Sequence, residues 1–331
     1  MPFTISKKLQ DNILTNYPDT GAQWLASLPD LINKLAAQWN LSDIKFLEEV
    51  ASFNFVATAI QREKYRERKV VLKIISTPEQ RETQVLATYN GNGCIQPIAV
   101  DHNARAILLP FLEGHDLMQN GKIDETEFCQ HVTKILETLH TTKCNEDFPI
   151  LHDYLKKKLT EIIPNSEILP ALDSDALQKA HAYIETIIPK DPEHWILLHG
   201  DFHPYNIIGL EKESKTFIAI DPVGFIGDPA YDVACISGKV TPIVLAKPDP
   251  YNIVKDRIRY FSEHLNLDPV RISQWGYVHF ILAAWWLRGE VNDQQIPRLS
   301  QQCLEMAGIY AKLEKDFTQE VNFGKRFDSG F

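Results

Sequence analysis

The 331-residue chain lacks the basic excess that nucleic-acid binding demands. It carries 34 Lys and Arg against 44 Asp and Glu, a formal net charge of −10. No basic tract offsets that balance, which excludes a nucleic-acid footprint and suits a cationic partner better than an anionic one. Paired cysteines are missing too. Cys94, Cys129, Cys144, Cys235 and Cys303 are scattered, odd in number and form no CxxC, so neither a disulfide framework nor a zinc ribbon is expected, and the thiols read as reduced. No apolar run approaches the ~18 residues of a membrane span; Phe280–Leu287 stops at Arg288. The first residues, Met1 to Lys8, lack the apolar core of a secretory signal. Together these absences predict a cytoplasmic protein with no membrane or nucleic-acid partner. They leave its oligomeric state open.

What is present is an ordinary globular composition, 44% hydrophobic and 24% charged, long enough for two lobes. There are no internal repeats and no low-complexity linker. Residues 21–40 carry Trp24, Leu28, Ile32, Leu35 and Trp39 at helical spacing, with an interruption expected at Pro29. Three strands are then expected over about 46–51, 53–60 and 70–76, with the charged stretch Gln61–Lys69 as a hairpin tip. Pro78 opens a helix reaching about Tyr89, and two further strands fit Cys94–Val100 and Arg105–Pro110. Beyond Gly114 the pattern turns helical, over about 124–140, 149–162, 173–188, 251–265, 269–289 and 297–318. One island of short buried strands breaks it at Trp195–Ile208 and Thr216–Asp221. The reading is an α+β, bilobal fold. An N-lobe over residues 1–111 holds about five antiparallel strands plus helices, and a larger, mostly helical C-lobe covers 112–331.

The chemistry concentrates in Leu198-His-Gly-Asp-Phe-His-Pro-Tyr-Asn206. His199, Asp201 and His203 alternate, as metal ligands on one strand face do. Pro204 forbids a continuing strand, however, and Asn206 is a poor ligand for a transition metal. Asn with Asp suits a hard cation such as Mg²⁺, and a second carboxylate arrives at the end of the apolar run Phe217-Ile-Ala-Ile-Asp221. An Asp, an Asn five residues later and a strand-terminal Asp form the arrangement protein kinases use for phosphoryl transfer. On that reading Asp201 handles the acceptor hydroxyl proton, and Asn206 with Asp221 holds the metal. His203 stands where kinases place a catalytic-loop lysine.

Such a kinase needs a strand lysine paired with a helix glutamate upstream. Lys73 in Val-Leu-Lys-Ile supplies the first; Glu82, just ahead of Val85 and Leu86, is better placed than Glu79 to supply the second. With these parts in order, the chain resembles the aminoglycoside phosphotransferase-type kinases, and within them the streptomycin and hydroxyurea phosphotransferase family. The residues that carry the resemblance are the loop above and Ala219-Ile-Asp-Pro-Val-Gly-Phe-Ile-Gly-Asp-Pro-Ala-Tyr-Asp-Val-Ala234, with weaker support from Trp24-Leu-Ala-Ser-Leu-Pro29 and Trp39-Asn-Leu41. The resemblance implies ATP and Mg²⁺ as cofactors and transfer of the γ-phosphate to a small-molecule hydroxyl, an aminoglycoside such as streptomycin being the familiar acceptor. It also implies a bracing role for His199 and hydrogen-bonding roles for Asp228 and Asp232. A metabolic kinase for an amino alcohol, ketosamine or sugar is the alternative, and a nucleotide-binding pseudokinase is a weaker one.

Two departures stand out. The turn at Ala51-Ser-Phe-Asn54, expected over the nucleotide, has no glycine, leaving Ser52 and Asn54 as its polar groups. The connection Leu109-Pro-Phe-Leu-Glu-Gly114 carries Pro110, which has no N–H; its carbonyl and the Leu112 N–H are the groups available to adenine. For the acceptor, the sequence offers Trp285, Trp286, Arg288, Glu290 and Asp293 as wall candidates.

Overall fold

The computed structural model describes residues 5–48, 51, 53–77, 81–118, 123–144, 147–162, 174–187, 194–213, 215–287 and 296–328. The chain divides into two compact units, the first running to Glu113 and the second starting at Gly114.

The first unit opens with helices α1 (Lys7–Asn16) and α2 (Gly21–Gln38) and continues into strands β1 (Leu41–Phe46), β2 (Phe55–Glu63) and β3 (Arg66–Ile74). Helix α3 (Glu82–Tyr89) and strands β4 (Ala99–Asp101) and β5 (Ala106–Pro110) complete it. The five strands form one antiparallel sheet in the order β1-β2-β3-β5-β4. Because side chains alternate across a strand, Phe55, Ala57 and Ala59 of β2 and Val70, Leu72 and Ile74 of β3 share one face. They are buried in one core with Leu9, Ile13, Trp24, Leu28, Ile32 and Leu35 of α1 and α2. Lys73 therefore emerges on the opposite face of the sheet.

Several expectations are corrected here. Helix α2 runs through Pro29 without interruption. A proline inside a helix costs about 3 kcal/mol, but Leu28, Ile32 and Leu35 are each almost fully buried, and each such side chain contributes about 2 kcal/mol. Burial wins. The first strand lies at Leu41–Phe46 rather than after Phe46, its register fixed by pairing of Leu41 with Gln61 and Phe46 with Ala57. The charged stretch after Ile60 is mostly strand, its tip reduced to Lys64 and Tyr65 between the paired Glu63 and Arg66. Ion pairs Arg62–Glu67 and Arg68–Glu63, both at 2.8 Å, carry the charge across the hairpin. Strand β4 is shorter than expected, and the sequence reading missed α1. The expected helix start at Pro78 lies outside the described residues.

The second unit is helical: α4 (Glu125–His140), α5 (Leu151–Ile162), α6 (Ser174–Ile187), α7 (Ala230–Gly238), α8 (Thr241–Leu245), α9 (Pro250–Leu265), α10 (Pro269–Trp286) and α11 (Ile296–Asp328). Two small antiparallel pairs interrupt them, β6 (Ile196–Leu198) with β9 (Phe225–Gly227) and β7 (Ile207–Gly209) with β8 (Phe217–Ala219). The sequence reading missed β9, α7 and α8 and ended the last helix too early. Helix α10 is buried nearly all round. At its Gly276 a Cβ would lie 2.1 Å from the Tyr310 ring of α11, so glycine sets the approach of the two helices. No helix among the described residues is long and apolar enough to cross a membrane.

Candidate active site

In the first unit, Lys73 Nζ lies 2.7 Å from Glu82 Oε2. Both residues are 5% exposed. The strand alternation that turns Leu72 and Ile74 into the core aims Lys73 the other way. Glu82 is the first residue of α3, where the helix dipole favours a carboxylate. Glu79, the competing partner, and Ser52, the predicted nucleotide-turn contact, lie outside the described residues. Asn54 is placed: its Oδ1 accepts the Ser76 N–H at 3.1 Å, tying the turn to the end of β3.

Pro110 ends β5 opposite Val70. The Phe111 N–H donates to Lys69 C=O at 3.3 Å, so the alternation of an antiparallel ladder turns the Pro110 carbonyl away from β3. On that other side β4 starts only at Ala99, opposite Leu108. The missing N–H of Pro110 thus falls where no ladder bond is required. Its carbonyl and, two residues on, the Leu112 N–H remain outside the sheet.

In the second unit, the loop between β6 and β7 is held from below by one carboxylate. Asp232, fully buried in the first turn of α7, accepts the N–H groups of His199 at 2.9 Å and Gly200 at 3.0 Å. Gly200 has φ +83°, a left-handed conformation that glycine adopts without the steric penalty of a Cβ; there a Cβ would also press on Phe225 at 3.0 Å. The buried His199 ring bonds Ile220 C=O through Nε2 at 2.9 Å. A carbonyl only accepts, so Nε2 carries the proton, and Nδ1 is the acceptor of the Asp201 N–H at 3.3 Å. Burial pushes the His199 pKa down, against the pull of Asp232 and Asp201. A neutral ring with both nitrogens engaged is a brace.

Beyond that brace sit the predicted catalytic groups. Asp201 is 45% exposed on its side chain, and its Oδ2 lies 3.4 Å from His203 Nε2. Asn206 closes a single 3-10 turn begun by Pro204. Its Nδ2 donates to the Asp201 carbonyl at 3.0 Å and approaches the Asp201 carboxylate at 3.4 Å. Burial of the loop would raise the Asp201 pKa; the charge and hydrogen bond of His203, with Lys239 and His199 adding to them, outweigh it and hold the carboxyl well below the usual carboxylate range. The β7–β8 pairing sets Ile207 opposite Ala219, and the Ile220 N–H donates to Asn206 C=O at 2.9 Å. This brings Asp221 next to Asn206 with φ +57°, a left-handed conformation that Asp tolerates better than most residues.

The amide of Asn206 spends its NH₂ on Asp201, which leaves Oδ1 as an acceptor, and Asp221 follows Ile220, whose N–H is bonded to the Asn206 carbonyl. Two protein oxygens fit Mg²⁺, which keeps several waters and takes its remaining ligands from phosphates. Among the described residues no group of three or more His, Cys, Asp or Glu could hold a metal ion, so the alternating His-Asp-His does not form a chelating face.

The remaining expected residues fall as follows. Asp228 hydrogen-bonds backbone, as expected, and not the catalytic loop in any described bond. It pairs with Arg271 and accepts Trp275 Nε1–H at 2.7 Å and Ala230 N–H at 3.1 Å. Trp285 is buried, whereas Trp286 is 36% exposed; Arg288, Glu290 and Asp293 lie outside the described residues. Sequence reasoning missed His140, at the end of α4, whose Nε2 lies 3.5 Å from Asp232 Oδ2. It also missed the buried trio in which His279 Nδ1 lies 3.2 Å from both Tyr231 Oη and Cys235 Sγ. Nothing in local spacing links residues 44 and more positions apart.

A profile of the aminoglycoside/hydroxyurea antibiotic resistance kinases matches residues 59–290, more than two thirds of the chain. The chain belongs to this family. It is an ATP-dependent phosphotransferase acting on a small molecule. Among curated relatives of this family member, a streptomycin 6-kinase from Streptomyces glaucescens is 22% identical over 274 residues, covering 82% of this chain and 86% of the relative. Among solved structures, an ethanolamine kinase from Plasmodium vivax superposes with a TM-score of 0.62 at 15% identity, covering 83% of this chain and 84% of that one. A thermostable mutant of an aminoglycoside phosphotransferase, in ternary complex with ADP and hygromycin B, gives 0.61 at 13% identity, covering 84% and 97%. At such identities these two structures establish the protein kinase-like fold.

Proposed function

We propose that this kinase transfers the γ-phosphoryl group of ATP to a hydroxyl of a streptomycin-like aminoglycoside. The observation that carries the reading is the Asp201 carboxylate, ionised, half exposed and fixed through its own backbone by Asn206 and His199. Asp201 accepts a hydrogen bond from the acceptor hydroxyl and aims its oxygen at the γ-phosphorus. The new P–O bond forms as the bond to the β–γ bridging oxygen breaks, releasing ADP. Because Asp201 is held at a low pKa, it orients the hydroxyl first and takes its proton late, once the oxygen has begun to bond phosphorus. His203, against Asp201 Oδ2, steadies that carboxylate. Asn206 Oδ1 and Asp221 would hold Mg²⁺, which neutralises charge on the phosphates. Lys73, positioned by Glu82, takes the α- and β-phosphates, while the Pro110 carbonyl and Leu112 N–H serve adenine. Ser52 completes the nucleotide contacts in the turn.

Support for the acceptor class comes from the streptomycin 6-kinase relatives and the net charge of −10, which favours a polycation. The test is ADP release from Mg-ATP with streptomycin, other aminoglycosides, amino alcohols, ketosamines and sugars, using Asp201→Asn as the blank. Streptomycin-dependent release that disappears in the variant upholds the reading. Turnover with an amino alcohol or sugar alone would transfer the enzyme to metabolism, and ATP binding without turnover on any acceptor would make it a pseudokinase.

A further inference from the structure

Three large hydrophobic side chains of the second unit stay open to solvent around one short strand. Ile150, just before α5, and Tyr154, near its start, are each 36% exposed, and Val223, on the approach to β9, is 43% exposed. Backbone pairing gathers them. Ile150 bridges to Ile226 of β9, and the Ile226 N–H donates to Pro149 C=O at 2.9 Å. The Tyr154 ring lies against Phe225, the first residue of β9, with centroids 4.9 Å apart.

This patch is continuous with the catalytic loop. The Val223 and Gly224 N–H groups both donate to His199 C=O, at 2.8 and 3.2 Å, which fixes Val223 in place. Gly200, the residue before Asp201, touches both side chains of the patch's inner edge. A Cβ there would meet the Phe225 ring at 3.0 Å and the Val223 Cβ at 3.3 Å. The metal and phosphate candidates belong to the other end of the loop, where Asn206 C=O accepts the Ile220 N–H beside Asp221. Asp201 thus follows directly on the residue that the apolar patch covers, and a contiguous apolar surface at such a place marks a binding face.

We infer that Val223 and Tyr154, backed by Phe225, form an apolar shelf on which the acceptor lays its rings, so that the enzyme selects ring acceptors over acyclic amino alcohols. The inference rests on Asp201 being the group that receives the acceptor hydroxyl, as proposed above. A sugar or cyclitol with equatorial substituents carries its polar groups at the rim and C–H groups on its faces. Such a face covers apolar side chains, and its C–H groups suit the negative face of an aromatic ring. Val223 touches the loop, so it meets the ring that bears the reacting hydroxyl. Tyr154 lies beyond Phe225, so it meets a second ring. An acyclic amino alcohol has no such face to offer.

The experiment is steady-state kinetics of the full chain with Mg-ATP and streptomycin, its isolated cyclitol streptidine, a simple sugar or ethanolamine as acceptor. Val223→Ser should raise the KM for streptomycin and streptidine about tenfold, the usual effect of removing apolar contact from a site, with kcat and the KM for ATP kept. Tyr154→Ser should raise the KM for streptomycin severalfold and leave streptidine as it was. Tyr154→Phe and Val223→Ile, which keep the apolar surface, should behave as the parent chain. If streptomycin is turned over and either serine variant keeps the parent KM for it, or loses kcat instead, the shelf is overturned and the aminoglycoside reading stands. Turnover of the sugar without either aminocyclitol acceptor, with its KM raised by Val223→Ser, upholds the shelf and overturns that reading; an unchanged KM there overturns both. Turnover of ethanolamine alone, or of no acceptor, also overturns both.

Discussion

Two side-chain pairs of the candidate site, Lys73–Glu82 in the first unit and His203–Asp201 in the second, are opposites in how they are held. The first is buried on both sides at 2.7 Å, and its position is dictated by strand alternation and a helix start. The second is looser, at 3.4 Å, with Asp201 side chain 45% exposed. What fixes it is the backbone beneath, gripped by Asp232 and the neutral His199. A buried pair ties charge to folding, because breaking it strands an ion in a poor solvent. A half-exposed carboxylate on a braced loop keeps its backbone position through other groups, so its side chain is accessible to serve chemistry.

The sharpest way to break that contrast is to neutralise each acid in turn. Asp201→Asn should lower kcat by about 10²–10⁴-fold, the usual reach of general acid–base and orienting groups, with a smaller loss of stability than the buried pair shows. Glu82→Gln should do the reverse in kind, costing about 3–5 kcal/mol of stability in denaturant unfolding by taking the carboxylate from the buried Lys73, and raising the KM for ATP. Asp232→Asn tests the brace. Its side chain keeps one acceptor oxygen for two backbone donors, so about 1–3 kcal/mol should be lost, together with kcat, while KM for ATP holds. If Asp232→Asn alters KM for ATP alone, the loop is not held as described.

The same contrast explains what the sequence could and could not reveal. Lys73, Glu82, Asp201, Asn206 and Asp221 were legible because each is marked by local pattern: an apolar strand with one lysine, a glutamate ahead of an apolar helix face, an Asp and Asn around a proline turn. Helices α4, α5, α6, α9 and α10 and most of α11 were legible for the same reason. The first strand was misplaced because Phe46-Leu47 carries more β-propensity than Leu41-Ser-Asp, and only pairing with β2 decides between them. Pro29 misled because a breaker residue is judged locally while the buried stripe of α2 acts across the sheet. Strands of three residues such as β9 and the brace from α7 to His199 exist only through partners dozens of positions away.

The smallest effect expected is one of pH, and it separates the loop's support from its chemistry. Burial pushes the pKa of His199 down and that of His279 well below the ordinary histidine value of 6.5. Each ring is then neutral in the folded chain at a pH where it binds a proton once unfolded. The unfolded state takes up more protons as pH falls below about 6.5, so stability must fall with it. Asp201 moves in the opposite sense: its folded pKa lies below the ordinary 3.8, so the stability it contributes is lost only on acidification through that value, and its charge stays constant between pH 7 and 5. Thermal midpoints measured across pH 7 to 5 should therefore decline, and decline less steeply in His279→Asn, where an amide can still bridge Tyr231 and Cys235. An equal slope in that variant would mean that the buried trio does not carry the acid sensitivity of the second unit.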